Sequence, residues 1–600
     1  MKGLLKLIRI IKLYYIIICY QLIELNHIVE TLFLPSSSMS SSSFIIYNLS
    51  GIPGQGYYMT VYIGKPNQKI QLLVDTGSSN LAIAGRNLTN VDNWFESTKS
   101  STLRCNDHLI QHVHYLKGYW SGVYCQDEFN FTNKQDTTII NRYPINNNNN
   151  NNRIHMSFSL IFNSTKVFLP HTNITWYGII GLGFNSIYIK PKSIKHHHHQ
   201  INLLIDWKNQ FMNQIMNNKN QFTYLDQLNS IWKIHKQFGL LLCGTTMFNN
   251  PDMNSRKMSG KLIIGRTDLN LLWPSTNITS NMSSPRIPSF NPSIVYYTPI
   301  RKAWYYEIIL TNLLINEYSI VDNCKELNLY KTIIDSGTTN IYLPMKIFQR
   351  FIDILFMKFI ITNKNYINII NKKLFWLGKN AYCLPIHNNP NHYNNDNHST
   401  NHNHHNNHNN NNNDKILKNF YQLFPIIEFQ LISSININNQ VVSLLLSPQQ
   451  YVRYLGRINQ NNQSRDCFAF AIQPSHRNTI LGSVFLEAYY TIFDQENMRI
   501  GFTNSPCNSY INNPSQPISK VNGFKQWNKT YKSILFTKTY HKSINIYNYL
   551  SPLDCAVYRP TKSIQLLYLK KLYSRIFWLS SLVNFFLIPL FILLKVKYIY

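Results

Sequence analysis

Residues 70–79 read IQLLVDTGSS, an apolar run that ends in an aspartate, a small hydroxyl residue and a glycine. A second stretch of the same design, TIIDSGTT, occupies residues 332–339. In both stretches the apolar residues predict a buried strand, and the glycine lets the chain turn sharply where the strand ends. Asp75 and Asp335 are therefore expected at two strand tips, each near hydroxyl and backbone N–H groups that can hydrogen-bond its carboxylate.

Each motif is followed further along the chain by an element of two apolar residues and a glycine. These elements are Ile179-Ile180-Gly181 and Ile480-Leu481-Gly482. The repeated order indicates an internal duplication, in which two similar halves each supply one aspartate. The alternative is a pair of unrelated turns, because Asp-Thr-Gly also occurs in ordinary turns.

Two carboxylates held close together cannot both ionise cheaply. The pKa of one falls and the pKa of the other rises, so the pair carries one shared proton over a broad acidic range. One carboxyl group can then take a proton from water while the other protonates or hydrogen-bonds a carbonyl oxygen. Such a pair hydrolyses an amide through a gem-diol and needs neither a metal nor another cofactor.

The pattern resembles the pepsin-like aspartic proteases over residues 51–508. The resemblance implies a mainly β, bilobal fold with the active-site cleft between two duplicated β lobes. Other segments that match this family are GQGYY (54–58), IGKP (63–66), the hairpin HYLKGYWSG (114–122), YTPIR (297–301), WYYE (304–307), FWLG (375–378), PQQY (448–451), FD (493–494) and RIGF (499–502).

The resemblance also implies roles for individual residues. Asp75 and Asp335 would activate water, and Ser78 and Thr338 would hydrogen-bond their outer carboxylate oxygens. Tyr115 would be the flap tyrosine that closes over substrate; the alternative is an ordinary hairpin aromatic, in a chain with 39 tyrosines. The other expected site residues are Thr76, Gly77, Ser336 and Gly337 in the two motifs, Trp120, whose indole N–H would reach the Tyr115 hydroxyl, and Thr339 near substrate.

Within the family, the sequence is most similar to the membrane-anchored beta-secretase (memapsin) branch. Asn80-Leu81 is followed by Ala82, as in beta-secretases, where most secreted pepsins have tryptophan. Tyr342 departs from that branch, which has an arginine there that is thought to hold acidic substrate side chains. A preference for acidic substrates is therefore not carried over.

Nine cysteines are present, and Cys19 lies in the apolar N-terminal segment. The remaining even number fits a disulfide framework in an oxidising compartment. The resemblance implies the pairs Cys243–Cys507, Cys324–Cys555 and Cys383–Cys467. Cys105 and Cys125 flank the flap at comparable distances from its tip, so we predict that they pair across its base; the alternative is two free buried thiols.

The segment order predicts a secreted precursor with a membrane anchor. Basic residues before a short apolar run indicate a signal peptide, and the uncharged apolar run at residues 576–594 is long enough to cross a bilayer. The basic residues that flank this run favour the reverse orientation, whereas the signal and the disulfides favour a lumenal ectodomain. The predicted segments are a signal peptide (1–26), a short pro-segment (27–50), an N-terminal lobe (51–250), a C-terminal lobe (251–508), a disulfide-tied extension and stalk (509–575), a transmembrane helix (576–594) and a cytoplasmic tail (595–600).

The formal net charge of +30 does not indicate a nucleic-acid partner, because the lysines are spread along the chain without a compact basic cluster. Polar tracts at residues 146–152, 196–199 and 387–413 cannot bury a core and are expected to be solvated loops. Their histidines have no arranged supporting groups, so no functional metal site is predicted.

The sequence thus predicts a glycosylated, single-pass type I aspartic endopeptidase, made as a zymogen, in the Golgi, endosome or cell-surface membrane. Its partners would be protein or peptide substrates, chiefly the ectodomains of membrane proteins, and the lipid bilayer. A basic convertase site is not expected, because residues 27–50 contain no lysine or arginine. The alternatives are a soluble lysosomal or digestive aspartic protease, a catalytically silent binding module on the same fold, and an adhesion or coat protein.

Overall fold

The computed structural model describes only part of the chain. The described residues are 43–52, 56–86, 88, 91–115, 118–131, 137–140, 153–165, 167, 176–193, 223–244, 260–267, 294–316, 318–321, 323–356, 373–385, 420–434, 439–460, 463–507, 519–527 and 551–556. The predicted signal peptide, transmembrane helix, cytoplasmic tail and polar tracts lie outside these residues.

The described chain is mainly β, as predicted. Its first half contains strands β1 (Phe44–Ile52), β2 (Gly56–Ile63), β3 (Gln68–Asp75), β4 (Leu81–Ala84), β5 (Arg104–Tyr115), β6 (Gly118–Asn130), β7 (Thr137–Ile140), β8 (Arg153–Thr165), β9 (Gly178–Gly181), β10 (Lys192–Ser193), β11 (Gln237–Leu242) and β12 (Gly260–Ile264), and helix α1 (Tyr224–Trp232).

The second half repeats this dominance of strands, with short helices between them. Its strands are β13 (Tyr296–Pro299), β14 (Leu310–Ile315), β15 (Tyr318–Ser319), β16 (Thr332–Ile334), β17 (Ile341–Pro344), β18 (Tyr382–Pro385), β19 (Ile427–Ile432), β20 (Gln440–Leu446), β21 (Val452–Gln460), β22 (Gln463–Phe470), β23 (Ile472–Ser475), β24 (Thr479–Leu481), β25 (Tyr489–Asp494), β26 (Arg499–Asn504) and β27 (Lys520–Gln526). Its helices are α2 (Lys325–Asn328), α3 (Met345–Leu355), α4 (Lys373–Trp376), α5 (Pro448–Tyr451) and α6 (Ser483–Leu486).

One large sheet joins the two halves. It contains 15 strands, and its path runs from β10 through β3, β2, β1, β12 and β11 to β25, β26 and β13. Strand β25 is buried along its whole length, which explains why YYTIFD is almost continuously apolar or aromatic. The second half adds separate sheets of 5, 4 and 3 strands.

The two aspartate motifs lie in matching strand arrangements. In the first half β3 runs parallel to β9 and β4 runs parallel to β8, while β4 and β9 are antiparallel. In the second half β16 and β24, β17 and β23, and β17 and β24 pair in the same three ways. The repeated apolar-apolar-glycine elements are β9 and the end of β24, each beside the strand that delivers an aspartate. The duplication inferred from the sequence is therefore structural.

Helix α3 covers the four-stranded sheet beside the second motif. Its apolar residues recur at helical spacing, so that one face is buried: Ile347, Phe348, Phe351, Ile352, Ile354 and Leu355. The amphipathic pattern of residues 345–360 predicts a helix over that stretch. The observed helix begins as predicted and ends at Leu355, and residues 357–360 lie outside the described part of the chain.

Two strands, β1 and β27, extend the sheets beyond the predicted bounds of the catalytic lobes. Strand β1 crosses residue 50, the predicted end of the pro-segment, and pairs with β2 on one side and β12 on the other. In the predicted extension, β27 pairs with β20 at the edge of the five-stranded sheet. None of the helices in the described part of the chain is long and apolar enough to span a membrane.

Candidate active site

The two aspartates lie at strand ends and are held by matching hydrogen bonds. The Gly77 N–H donates to Asp75 Oδ1 at 2.8 Å, and Ser78 Oγ donates to Asp75 Oδ2 at 2.5 Å. At the second motif, the Gly337 N–H donates to Asp335 Oδ1 at 2.9 Å and Thr338 Oγ1 donates to Asp335 Oδ2 at 2.7 Å. Each carboxylate is thereby fixed in orientation by its own turn.

The residues after the aspartates bind the two halves to each other. The Thr76 N–H donates to Ser336 Oγ at 3.0 Å, and the Ser336 N–H donates to Thr76 Oγ1 at 2.9 Å. Each hydroxyl also donates across the interface: Thr76 Oγ1 to the Ile334 carbonyl at 3.1 Å and Ser336 Oγ to the Val74 carbonyl at 2.7 Å. These four buried bonds set the distance between the aspartates.

Glycine is required after both aspartates because the opposite carboxylate occupies the space of a side chain. A Cβ atom at Gly77 would lie 2.4 Å from Asp335 Oδ1, and one at Gly337 would lie 2.4 Å from Asp75 Oδ1. Both distances are too short for any side chain, so the glycines allow the two carboxyl groups to meet.

The two aspartates differ in exposure. Asp75 is 7 % exposed, whereas Asp335 is half-buried. Burial, reinforced by the negative charge of Asp335, raises the pKa of Asp75 from its usual range to about 8, against the opposing hydrogen bonds from Ser78 and Gly77. The pair can therefore hold one proton on Asp75 at pH values where an ordinary aspartate has lost it.

The hairpin of β5 and β6 covers Asp75. Trp120 Nε1 donates to the Tyr115 hydroxyl at 3.1 Å, and Tyr115 and Ser78 are also hydrogen-bonded. Burial raises the pKa of Tyr115, so this hydroxyl stays protonated.

Tyr305 also lies near the two aspartates, and Lys331 lies against its ring. Burial and the charges of Asp335 and Asp75 raise the pKa of Tyr305. Lys331 Nζ lies 4.4 Å from the centre of the Tyr305 ring and 4.0 Å from that of Trp304. Tyr305 was not among the predicted site residues. The only feature of the sequence that points to it is the match of the segment WYYE (304–307) to the family.

A sequence model of the family described as "Eukaryotic aspartyl protease" matches residues 56–229 and 289–505, which include both aspartate motifs. The chain belongs to this family. It is an aspartic endopeptidase with a pepsin-like fold.

Named relatives of the protease agree with this assignment. A beta-secretase from Strongylocentrotus purpuratus is 28% identical over 469 residues, which cover 77% of this chain and 68% of the relative. Plasmepsin VII from Plasmodium falciparum is 36% identical over 75 residues, which cover 11% of this chain and 16% of that protein. Plasmepsin VII from Plasmodium berghei is 36% identical over 93 residues, or 14% of this chain and 19% of that protein.

The structure brings most of the predicted site residues of the protease together around the two carboxyl groups. These residues are Asp75, Thr76, Gly77, Ser78, Tyr115, Asp335, Ser336, Gly337 and Thr338, with Trp120 bonded to Tyr115. The Thr339 carbonyl accepts from the Val484 N–H at 3.1 Å, and its contact with substrate stays a prediction. Tyr342 lies in β17, beside Ile480 of β24.

The described part of the protease contains four disulfides, between the cysteine pairs named from the sequence: Cys105–Cys125, Cys243–Cys507, Cys324–Cys555 and Cys383–Cys467. Cys105 and Cys125 are directly opposite each other in β5 and β6, at the base of the flap. Among the described residues, no group of three or more histidine, cysteine, aspartate or glutamate side chains is placed to hold a metal ion.

Proposed function

We propose that Asp75 and Asp335 are the catalytic residues of a beta-secretase-like, membrane-anchored endopeptidase. The observation that carries the proposal is the close approach of the two carboxyl groups, held by matching hydrogen bonds and by the bonds between Thr76 and Ser336. Their unequal burial gives them different tasks.

In the proposed reaction Asp335 is the base and Asp75 is the acid. Asp335 takes a proton from a water molecule as that water attacks the peptide carbonyl carbon, and Asp75 gives its proton to the carbonyl oxygen. The product is a neutral gem-diol. Its collapse returns a hydroxyl proton to Asp75, and the proton on Asp335 passes to the amine as the C–N bond breaks.

The substrate would be an extended peptide segment bound between the lobes. Strand-like peptides bind through main-chain hydrogen bonds, and the β5–β6 hairpin would cover the peptide as it covers Asp75. Tyr115 would then be a positioning residue for Ser78 and for the hairpin, and Thr339 would lie along the peptide. With Tyr342 in place of an arginine, an acidic side chain gains no cationic partner at that position.

Anchoring would place this site beside other membrane proteins. The apolar run at residues 576–594 is the proposed anchor, with residues 51–508 as the lumenal catalytic lobes and residues 27–50 as a pro-segment. The similarity to a beta-secretase and the four disulfides support a secretory-pathway membrane. Sharing a membrane raises the local concentration of substrate, so modest intrinsic affinity suffices.

The first test is hydrolysis of a quenched peptide library by the full-length chain in detergent, from about pH 3 to pH 9. We expect a bell-shaped profile whose alkaline side reflects the pKa of Asp75, about 8. Asp75→Asn and Asp335→Asn should each abolish cleavage. Asp353→Asn, on helix α3, is the matched control and should cleave normally.

Two results would favour the rival functions. A folded, disulfide-bonded protein that cleaves no peptide at any pH would favour the silent binding module. Release of the protein from membranes by an alkaline carbonate wash, with cleavage intact, would favour the soluble protease. Deletion of residues 576–594 should produce that release if the run is the anchor.

A further inference from the structure

A β-bulge lies in β8, beside the flap strand β6. Ser121 pairs with Asn163 and Gly122 pairs with Ile161, so Phe162 between them has no opposite residue. In a regular strand, neighbouring side chains point to opposite faces. A bulge changes these directions, and here Phe162 is 43% exposed while Asn163 is exposed as well.

Asn163 begins the tripeptide Asn163-Ser164-Thr165, which matches the acceptor pattern for N-glycosylation. Thr165, the hydroxyl residue of this tripeptide, is exposed too. The side chain of Asn163 is therefore accessible to a bulky modification.

The exposed asparagine lies on the outer face of the flap sheet. His112, Ser121 and Asn163 are opposite one another on three adjacent strands, and His112 Nδ1 is 2.8 Å from Ser121 Oγ. Side chains paired in this way share a face. Trp120 precedes Ser121 on β6, and its side chain is buried on the other face. A group on Asn163 would therefore point away from the hydrogen bond between Trp120 and Tyr115.

Two other matching tripeptides begin within the described residues, and their asparagines are in different surroundings. Asn130, at the end of β6, is 8% exposed and opposite both Tyr62 and Arg153. Asn48 is half-buried within β1, between β2 and β12. A chain that had received a sugar at Asn130 during synthesis could not bury that side chain in this fold.

We propose that Asn163 carries an N-linked glycan and that Asn130 does not. The proposal rests on the lumenal placement in the proposed function. In the transfer, the Asn163 amide nitrogen bonds to the first carbon of a lipid-pyrophosphate-linked oligosaccharide. The bond from that carbon to the pyrophosphate breaks, the lipid pyrophosphate leaves, and the amide gives up one proton to a base.

Phe162 gives the attached sugar a surface to contact. Its ring is next to the acceptor and is one of the larger apolar side chains left exposed. Packing of a sugar ring on an aromatic face would cover this ring and hold the glycan against the bulge, on the outside of the flap.

The test uses the full-length chain expressed in a eukaryotic cell and extracted from its membranes in detergent. The purified protein is treated with peptide N-glycosidase in heavy-oxygen water, which converts each glycosylated asparagine to labelled aspartate, and its peptides are analysed by mass spectrometry. Thr165→Ala removes the tripeptide at Asn163 and keeps the asparagine. Thr132→Ala is the matched control, because it removes the tripeptide at Asn130.

We expect label at residue 163 and none at residue 130. The Thr165→Ala variant should migrate faster on a gel, by the mass of one glycan, and keep its kcat/KM. The Thr132→Ala variant should migrate like the unmodified protein. A protein with an intact Cys105–Cys125 bond but unlabelled Asn163, or with labelled Asn130, would overturn the proposal. Peptide hydrolysis is measured on the same samples, so failure of the glycan assignment is separate from failure of the catalytic one.

Discussion

Asp75 and Asp335 are held by the same set of bonds: one glycine N–H, one hydroxyl after it, and a reciprocal contact between Thr76 and Ser336. They differ in what lies over them. The first half places the β5–β6 hairpin above Asp75, and Asp335 remains more exposed. The duplicated motifs therefore supply the two aspartates, and the hairpin over one of them makes their burial different. Burial raises the pKa of Asp75 to about 8.

The largest effect is expected from filling the space between the carboxyl groups. Gly77→Ala and Gly337→Ala should each lower kcat/KM by about 100-fold or more, because either methyl group displaces the opposite aspartate. Equal losses would show that each glycine lies equally close to the opposite aspartate.

Gly456→Ala is the matched control for these two variants. Gly456 has φ of +113° and no atom within 4 Å of an added Cβ, so the change should lower stability without lowering kcat/KM. Activity near that of the unmodified protein in Gly77→Ala would contradict the close contact.

Replacing each aspartate separately tests the difference in burial. Between about pH 4 and pH 8 folded Asp75 keeps a proton that the unfolded chain has lost, so the free energy of unfolding decreases as pH rises through this window. Asp75→Asn should remove that decrease, worth about 1.4 kcal/mol for each pKa unit of the shift, and give no gain below about pH 4. The measurement is denaturant unfolding across this pH range.

Asp335→Asn is the comparison variant in that series. It removes the charge repulsion but leaves the burial of Asp75, which is the larger cause of the raised pKa. Its gain in stability should therefore be smaller. Equal gains from both variants would mean that repulsion, and not the flap, distinguishes the two halves.

The cross-strand disulfides allow a second comparison between the halves. Cys105–Cys125 and Cys383–Cys467 both join opposite residues of antiparallel strands, but they are separated in sequence by 20 and 84 residues. Replacing each pair by alanines should cost about 2 to 4 kcal/mol, and the longer loop should cost about 1 kcal/mol more. Urea unfolding of the two double variants measures the difference, and a larger loss at the flap would reverse the expected order.

Smaller and equal losses are expected at the contact between the halves. Thr76→Ala and Ser336→Ala each remove one hydroxyl that both donates and accepts, so each should lower the free energy of unfolding by about 1 to 3 kcal/mol. Thr76→Ser keeps both bonds and should change stability little. Clearly unequal losses in chemical denaturation would show that one half dominates the interface.

The smallest effect is expected at the flap. Tyr115→Phe keeps the ring but removes the hydroxyl that accepts from Trp120, and kcat/KM should fall by about 10-fold. Trp120→Phe should produce a similar fall, and the double variant should fall no further than either single one. Additive losses in peptide hydrolysis would mean that the two residues act separately.

The turns that carry the aspartates were predictable because their chemistry is local. An apolar strand, an aspartate, a hydroxyl residue and a glycine specify the hydrogen bonds of Asp75 and Asp335 within a few positions. The repeated elements Ile179-Ile180-Gly181 and Ile480-Leu481-Gly482 also indicated the duplication, and the structure places them in or at the end of the strands that pair beside the two aspartate strands.

The cover over the site was less predictable, because it depends on contacts between distant segments. Nothing near Asp75 in sequence shows that Tyr115 lies beside it in the folded chain, so the raised pKa of Asp75 could not be assigned. Tyr305 and Lys331 likewise meet only in the folded chain. Strand β27 was missed because its composition, KVNGFKQ, is typical of an exposed loop.

The continuous sheet has a consequence for the order in which the protein can be made. Strand β1 leaves the ribosome early but pairs with β12, and β11 must wait for β25. The Thr76 residue beside the first aspartate likewise gains its contact with Ser336 only after the second motif has been synthesised. A nascent chain that has not yet reached β25 therefore carries an incomplete catalytic centre, and hydrolysis must await synthesis of the second half.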